Sequence, residues 1–213
     1  MHSEMIIRIT KYYRILHKLK SLGLERVFAN NLGDAAGVNA TVVRKDFSLL
    51  KIIGQKRGGY EIDKLISSLD KILGKDKPQK AIIVGCGRIG GALMRYRGFA
   101  SDGIAIVAGF DINPNICKEG DCPIPVYPLD RLEELISAQH IHVAILSTPE
   151  QEASEIFRRL SAAGIRGFLN FTPIGLKASK STAENPSVIH NVNIALELEQ
   201  IFYELNISEN KIF

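Results

Sequence analysis

Apolar residues fall at helical spacing between Ile6 and Leu22, where Ile9, Tyr12, Tyr13, Leu16 and Leu19 recur before Gly23 interrupts them. That spacing puts them on one face of an α-helix. A second short helix is predicted over residues 29–36, stopped by Gly37. A third is predicted over about 40–50, with Asn39 as its N-cap. The pattern then changes. Residues 52–62 read as two short extended pieces around the basic, glycine-rich turn Gln55-Lys56-Arg57-Gly58-Gly59. Helical spacing returns over 63–73, and Gly74-Lys75-Asp76-Lys77-Pro78 reads as a polar linker ended by proline.

Beyond the linker, strand-length apolar runs alternate with helical ones. Strands are predicted at 81–84, 104–110, 125–127, 142–146, 167–171 and 187–191, and helices at 91–96, 129–139 and 150–163. Such alternation predicts a doubly wound parallel sheet. A closing helix over 193–205 carries Ile194, Leu198, Ile201, Phe202 and Leu205 at helical spacing. The expected fold is α/β. Residues 1–77 form an N-terminal winged helix-turn-helix, 78–191 a Rossmann-type doubly wound sheet, and 192–213 a C-terminal helix.

Composition narrows the class. The chain has 213 residues, 46% hydrophobic and 23% charged, as a globular protein does. No apolar run reaches the ~18 residues a membrane span needs. The scattered charges over residues 1–11 do not read as a secretory signal. Three cysteines make no disulfide framework, so reduced thiols and a cytoplasmic location are expected. The overall charge of +4 hides a split. Residues 1–80 carry 16 Lys and Arg against 8 Asp and Glu, whereas residues 81–213 carry 11 against 15. A basic module joined to an acidic one suits a polyanion binder attached to something else.

That something else has a motif. Ile82-Ile83-Val84 leads into Gly85-Cys86-Gly87-Arg88-Ile89-Gly90, a G-x-G-x-x-G turn between a buried strand and a helix. Gly85 suits the tight turn, Gly87 a backbone that lets a pyrophosphate approach, and Gly90 close packing of helix on strand. The second strand ends in Asp111, 21 residues after Gly90, where a carboxylate can accept bonds from an adenosine ribose and repel a 2′-phosphate. NAD+/NADH is therefore the expected cofactor, in preference to NADP(H).

On the third helix, Val43, Phe47 and Leu50 form a stripe suited to a core. Thr41, Arg44, Lys45 and Ser48 stand at i, i+3, i+4 and i+7 on a different face. Hydroxyls and cations so arranged suit a recognition helix in a major groove. Lys56 and Arg57, at the tip of the wing, suit a neighbouring minor groove. Asn39 and Lys51 flank the helix and complete the expected DNA-binding set.

These residues together resemble the Rex family of redox-sensing transcriptional repressors. Val43-Arg44-Lys45-Asp46-Phe47-Ser48 with Gly58-Gly59-Tyr60 is similar to that family's DNA-binding half. The loop 85–90 with Ala92-Leu93, Tyr96 and Gly98-Phe99, then Phe110-Asp111-Ile112-Asn113-Pro114, resembles its cofactor half. Residues 163–173, ending Asn170-Phe171-Thr172-Pro173, match its most distinctive late motif, and 192–198 the start of its closing helix. The resemblance implies a homodimer with the last helix inserted between subunits, repression at a palindromic double-stranded DNA operator, and release when NADH replaces NAD+. It also implies that the nicotinamide end lies near Ser147-Thr148-Pro149 and residues 170–173. It gives Tyr96 a part in redox-sensitive bonding between subunits, and Asn193 and Ile194 a part in the switch. Three positions depart from the family. Asn193 stands where Asp is usual and cannot make a charged bond to an arginine such as Arg8 or Arg14. Lys56 and Arg57 replace an arginine and a glycine. Leu49-Leu50-Lys51 replaces an aromatic pair and glycine.

Two other readings remain. An NAD-dependent oxidoreductase would need an acid–base group, yet His140, His142 and His190 follow no catalytic pattern, so no catalytic residue is expected. A coenzyme A-binding module would share the loop, but Asp111 and the basic half argue against it. Cys86 lies at a helix start, where thiol acidity can rise. Cys117 and Cys122 form a C-x₄-C pair without further ligands, and no metal is expected.

Overall fold

The computed structural model of the chain describes residues 3–55, 58–116, 122–177 and 187–210. The chain divides into two compact units, Met1–Lys77 and Pro78–Phe213.

The first unit is helical. It contains α1 (Ser3–Ser21), β1 (Arg26–Val27), α2 (Ala29–Ala36), α3 (Ala40–Leu49), β2 (Tyr60–Glu61) and α4 (Ile62–Leu73). The helical stripes meet in one core, where Tyr12, Leu16, Leu32, Val43, Phe47 and Leu69 are fully buried. Phe47 packs edge-on between Tyr12 at 5.7 Å and Tyr60 at 4.9 Å. Truncating so enclosed a ring to alanine costs about 3–5 kcal/mol. Asn39 caps α3, its Oδ1 accepting from the Thr41 N–H at 2.8 Å. The wing departs from expectation. Its first extended piece forms no strand, only a bridge between Gln55 and Gly59, and β2 pairs antiparallel with β1, an element the sequence did not announce. A two-residue strand has too few positions to display alternation.

The second unit runs β3 (Gln79–Val84), α5 (Arg88–Met94), α6 (Gly98–Ser101), β4 (Ile104–Asp111), β5 (Val126–Pro128), α7 (Leu132–Gln139), β6 (Val143–Leu146), α8 (Glu150–Ala162), β7 (Gly167–Asn170), β8 (Val188–Asn191) and α9 (Ile194–Asn210). All pairings in its sheet are parallel, in the order β5-β4-β3-β6-β7-β8. Residues 81–84 of β3 are buried on both faces, which is why they read as an unbroken apolar run. One face packs Phe110, Leu146 and Phe168 under α7 and α8, and the other packs Ile83, Cys86 and Ile145 against Met94. The helix after the glycine turn spans Arg88–Met94, not 91–96 as expected, because it starts inside the loop and so ends before Tyr96. Asn193 accepts the Leu196 N–H at 3.1 Å and so begins α9. Residues 194–206 of that helix are exposed throughout, Leu198, Ile201 and Phe202 included.

Candidate functional site

Chain direction through the sheet reverses at β3. Its next strand, β4, lies on one side and β6 on the other. In open α/β sheets ligands bind in the crevice such a reversal opens beyond the carboxyl ends of the strands. A cleft of about 460 Å³ lies there, lined by residues that follow β3, β4, β6 and β7.

The glycine turn forms one wall. Gly85 has φ +89°, and a Cβ on it would stand 2.6 Å from the Ser147 carbonyl oxygen. A Cβ on Gly90 would overlap the Gly85 carbonyl oxygen. Both glycines are thus demanded by the protein itself. Gly87 differs: it lines the cleft, and a Cβ there would meet nothing within 4 Å. Its openness leaves room for a ligand to approach the backbone. Ile89 joins this wall, while Arg88 is exposed at the start of α5.

Asp111, the last residue of β4, lines the cleft and braces the loop. Its carboxylate accepts the Cys86 N–H at 2.8 Å and the Asn113 N–H at 2.9 Å. Asn113 lies in this turn outside the lining, whereas Ile112 belongs to it. Cys86 is turned away. Burial, then the Asp111 charge, pushes its thiol up to about 12, the reverse of the acidified thiol a helix start can produce. Cys122 is disulfide-bonded, contrary to the expected reduced thiol, and Cys117 lies outside the described residues.

Ser147, Thr148, Pro149, Phe171 and Pro173 form the far wall. Ser147 donates to the Gly85 carbonyl oxygen at 2.6 Å, tying β6 to the glycine turn. The Thr148 hydroxyl is buried without a hydrogen-bond partner, a state costing about 1–3 kcal/mol that a ligand would relieve. Asn170 and Thr172 were expected beside the ligand, but their side chains serve the protein. The Asn170 amide donates to the Ile174 carbonyl and to Asn191 Oδ1, and its oxygen accepts both the N–H and the hydroxyl of Thr172. This knot shapes the loop that presents Phe171 and Pro173. Tyr96 is not brought to the cleft: past the end of α5 it packs edge-on against Phe99 at 5.1 Å and lines a separate hollow with Ile124. Val84 and Phe110, at the ends of β3 and β4, also line the cleft, as do Ile116, Leu129 and Glu152, which were missed because they lie on a turn, a turn and a helix start without a motif.

In the first unit, Thr41, Arg44, Lys45 and Ser48 are exposed together on α3. Arg44 donates to Asn30 Oδ1 at 3.1 Å beside a hollow of about 450 Å³ lined by Phe28, Gln55 and Tyr60. The opposite face of α3 holds Asp46, which sequence reasoning did not single out. Arg8 grips its two oxygens at 2.8 Å each, and Tyr12 donates at 3.1 Å. The Arg8 bond, partly opposed by burial, holds the Asp46 carboxyl below its ordinary range. Arg8 is therefore committed to α3. Arg26, also missed, braces the wing by donating to the Gly58 carbonyl at 2.6 Å and to Gln55 Oε1 at 2.8 Å. Lys51 is exposed with φ +57°. Lys56 and Arg57 lie outside the described residues. Among the described residues no group of acids, histidines and cysteines could hold a metal ion, and no helix is long and apolar enough to cross a membrane.

A family model for the N-terminus of putative DNA-binding proteins matches residues 3–48, and a CoA-binding domain model matches 76–174. The redox-sensing transcriptional repressor Rex 1 of Enterococcus faecalis is 34% identical over 93% of this chain and 90% of its own length. The Rex repressor of Rhodopirellula baltica is 36% identical over 93% and 81%. Among solved structures, the Rex-family repressor RSP in complex with β-NAD+ and operator DNA covers 98% of this chain and 94% of its own, with 31% identity and a TM-score of 0.86. RSP with β-NADH covers 98% and 96%, also at 31% identity, with a TM-score of 0.76. The exposed cations of α3, the glycine-turn cleft at the strand reversal and this likeness along almost the whole chain lead to one conclusion: the chain belongs to the Rex family of redox-sensing transcriptional repressors.

Proposed function

We propose that the chain binds a palindromic operator as a homodimer and leaves it when NADH replaces NAD+ in the cleft of the second unit, in the cytoplasm. The observation that carries the reading is the cleft itself. It joins an open Gly87 backbone, a carboxylate at the end of β4 and an unpartnered buried hydroxyl at Thr148. Those features fit a dinucleotide. Gly85, Gly87 and Ile89 suit the pyrophosphate, Asp111 an adenosine ribose, and Phe171 with Pro173 the nicotinamide. RSP, which is similar over 98% of this chain, has been solved with both β-NAD+ and β-NADH and with operator DNA.

The two ligands differ by one positive charge on the nicotinamide ring. An apolar end formed by Phe171 and Pro173 disfavours the charged ring relative to the neutral one. The dimer can be shifted only by this difference in affinity, and a tenfold preference supplies about 1.4 kcal/mol. Thr41, Arg44, Lys45, Ser48 and Lys51 supply the DNA contacts, with Asn39 capping the helix that presents them. The exposed apolar residues of α9 support pairing with a second copy. Asn193, as the cap of α9, keeps a role in that helix without a charged bond.

Competition binding tests the ligand. NAD+ and NADH are expected to displace one another from the full chain, while NADP+ and coenzyme A compete at least tenfold more weakly. Tight coenzyme A binding that NADH does not reverse would overturn the reading.

A further inference from the structure

Resting on the dinucleotide reading of the cleft, we infer that Glu152 is the residue that selects adenine, its carboxylate accepting a hydrogen bond from the 6-amino group of the ring. Glu152 is the third residue of α8, where a glutamate commonly closes a capping box by reaching back to the N–H of the N-cap residue. That role is closed to it here, because the N-cap is Pro149, which has no N–H. Its N–H donates to the Pro149 carbonyl at 3.2 Å, and among the described residues its carboxylate has no hydrogen-bond or ion-pair partner and stands half-buried in the wall of the cleft.

The surroundings define what it faces. Asp111, placed for the adenosine ribose, ends β4, and the chain that follows contributes Ile112 and Ile116 to the lining. Leu129, from the turn after β5, adds a third apolar side chain. Arg159, two turns along α8 on the same face as Glu152, donates to the Leu129 carbonyl at 3.1 Å. That bond aims this face of the helix at the Leu129 turn. Beyond the carboxylate proposed for the ribose, the lining of the cleft is thus apolar, with one anionic acceptor beside it. Charge-assisted bonds of this kind are roughly twice as strong as neutral ones. A carboxylate accepts from the amino group of adenine and repels the keto oxygen that hypoxanthine carries at the same place. The unpartnered Thr148 hydroxyl, in the same cleft, independently marks the site as made for a polar ligand.

The test compares NAD+ with nicotinamide hypoxanthine dinucleotide, titrated against the full chain and against Glu152→Ala and Glu152→Gln. The wild type is expected to prefer NAD+ by about tenfold or more. Glu152→Ala should bring the ratio close to one, mainly by weakening NAD+. Glu152→Gln, nearly isosteric and able to present either an oxygen or an NH₂, should also bind the two alike. An unchanged preference in both variants overturns the assignment, as does equal weakening of the two ligands. A wild type that binds neither NAD+ nor NADH overturns the dinucleotide reading itself, which the loss of preference alone would not do.

Discussion

Lys51 adopts φ +57°, a backbone region that costs an ordinary side chain about 1–2 kcal/mol and costs glycine almost nothing. The position directly follows α3 and its C-cap residue, Leu50. A cation kept against this preference has a use outside the fold, and the operator phosphates supply one. Lys51→Gly is therefore expected to raise the melting temperature of the protein while weakening operator binding, and to reduce the slope of log affinity against log salt by about one. A stabilised variant with unaltered affinity would remove Lys51 from the interface. Cys86 makes a contrasting case. Its thiol is buried and pushed up to about 12, so the native protein at pH 8 should leave it unalkylated by iodoacetamide, and unfolding should expose it to rapid labelling. Asp46 shows the opposite shift. Its carboxyl is depressed in the folded state, so the stability it confers is present above the unfolded value near 4 and lost as pH falls through the folded value. Asp46→Asn should destabilise the first unit at pH 7 by about 3 kcal/mol, and should flatten the acid limb of its stability curve.

At the scale of elements, two glycines in one loop carry different loads. Gly90→Ala drives a methyl into the Gly85 carbonyl and should lower both the melting temperature and dinucleotide affinity. Gly87→Ala meets open space, so its melting temperature should stay close to wild type while NAD+ binding falls at least tenfold. Calorimetry on both variants separates a loop that only turns from one that also holds a ligand. The sequence made this loop legible because strand, glycine spacing and terminal acid all lie within one short segment. The stripe of α3 was legible for a similar reason, since Val43 and Phe47 against Arg44 and Lys45 declare a buried and an exposed face. Other features depend on partners distant in sequence. Asp46 is defined by Arg8 and Tyr12, and the wing by Arg26, none of which shares a local pattern with its target. Asn170 shows the converse: a residue conspicuous in a motif turns out to knot its own loop.

At the scale of the whole molecule, α9 is the helix that leaves the most large apolar side chains exposed among the described residues. Leu198, Ile201 and Phe202 are each more than half exposed, which a lone chain rarely tolerates on one helix. Phe202→Glu is expected to convert the proposed dimer to monomer at micromolar concentration, measured by sedimentation equilibrium, and to weaken operator binding because the two half-sites are then engaged independently. A dimer untouched by this change would place the interface elsewhere. The central claim, that one cleft reads the redox state and one helix face reports it to DNA, is tested most directly by operator occupancy at constant total dinucleotide and fixed salt, with the NADH:NAD+ ratio varied. Occupancy should fall as the ratio rises, with a midpoint set by the two affinities, and should recover when NAD+ is restored. Occupancy that ignores the ratio while both dinucleotides are bound would contradict it.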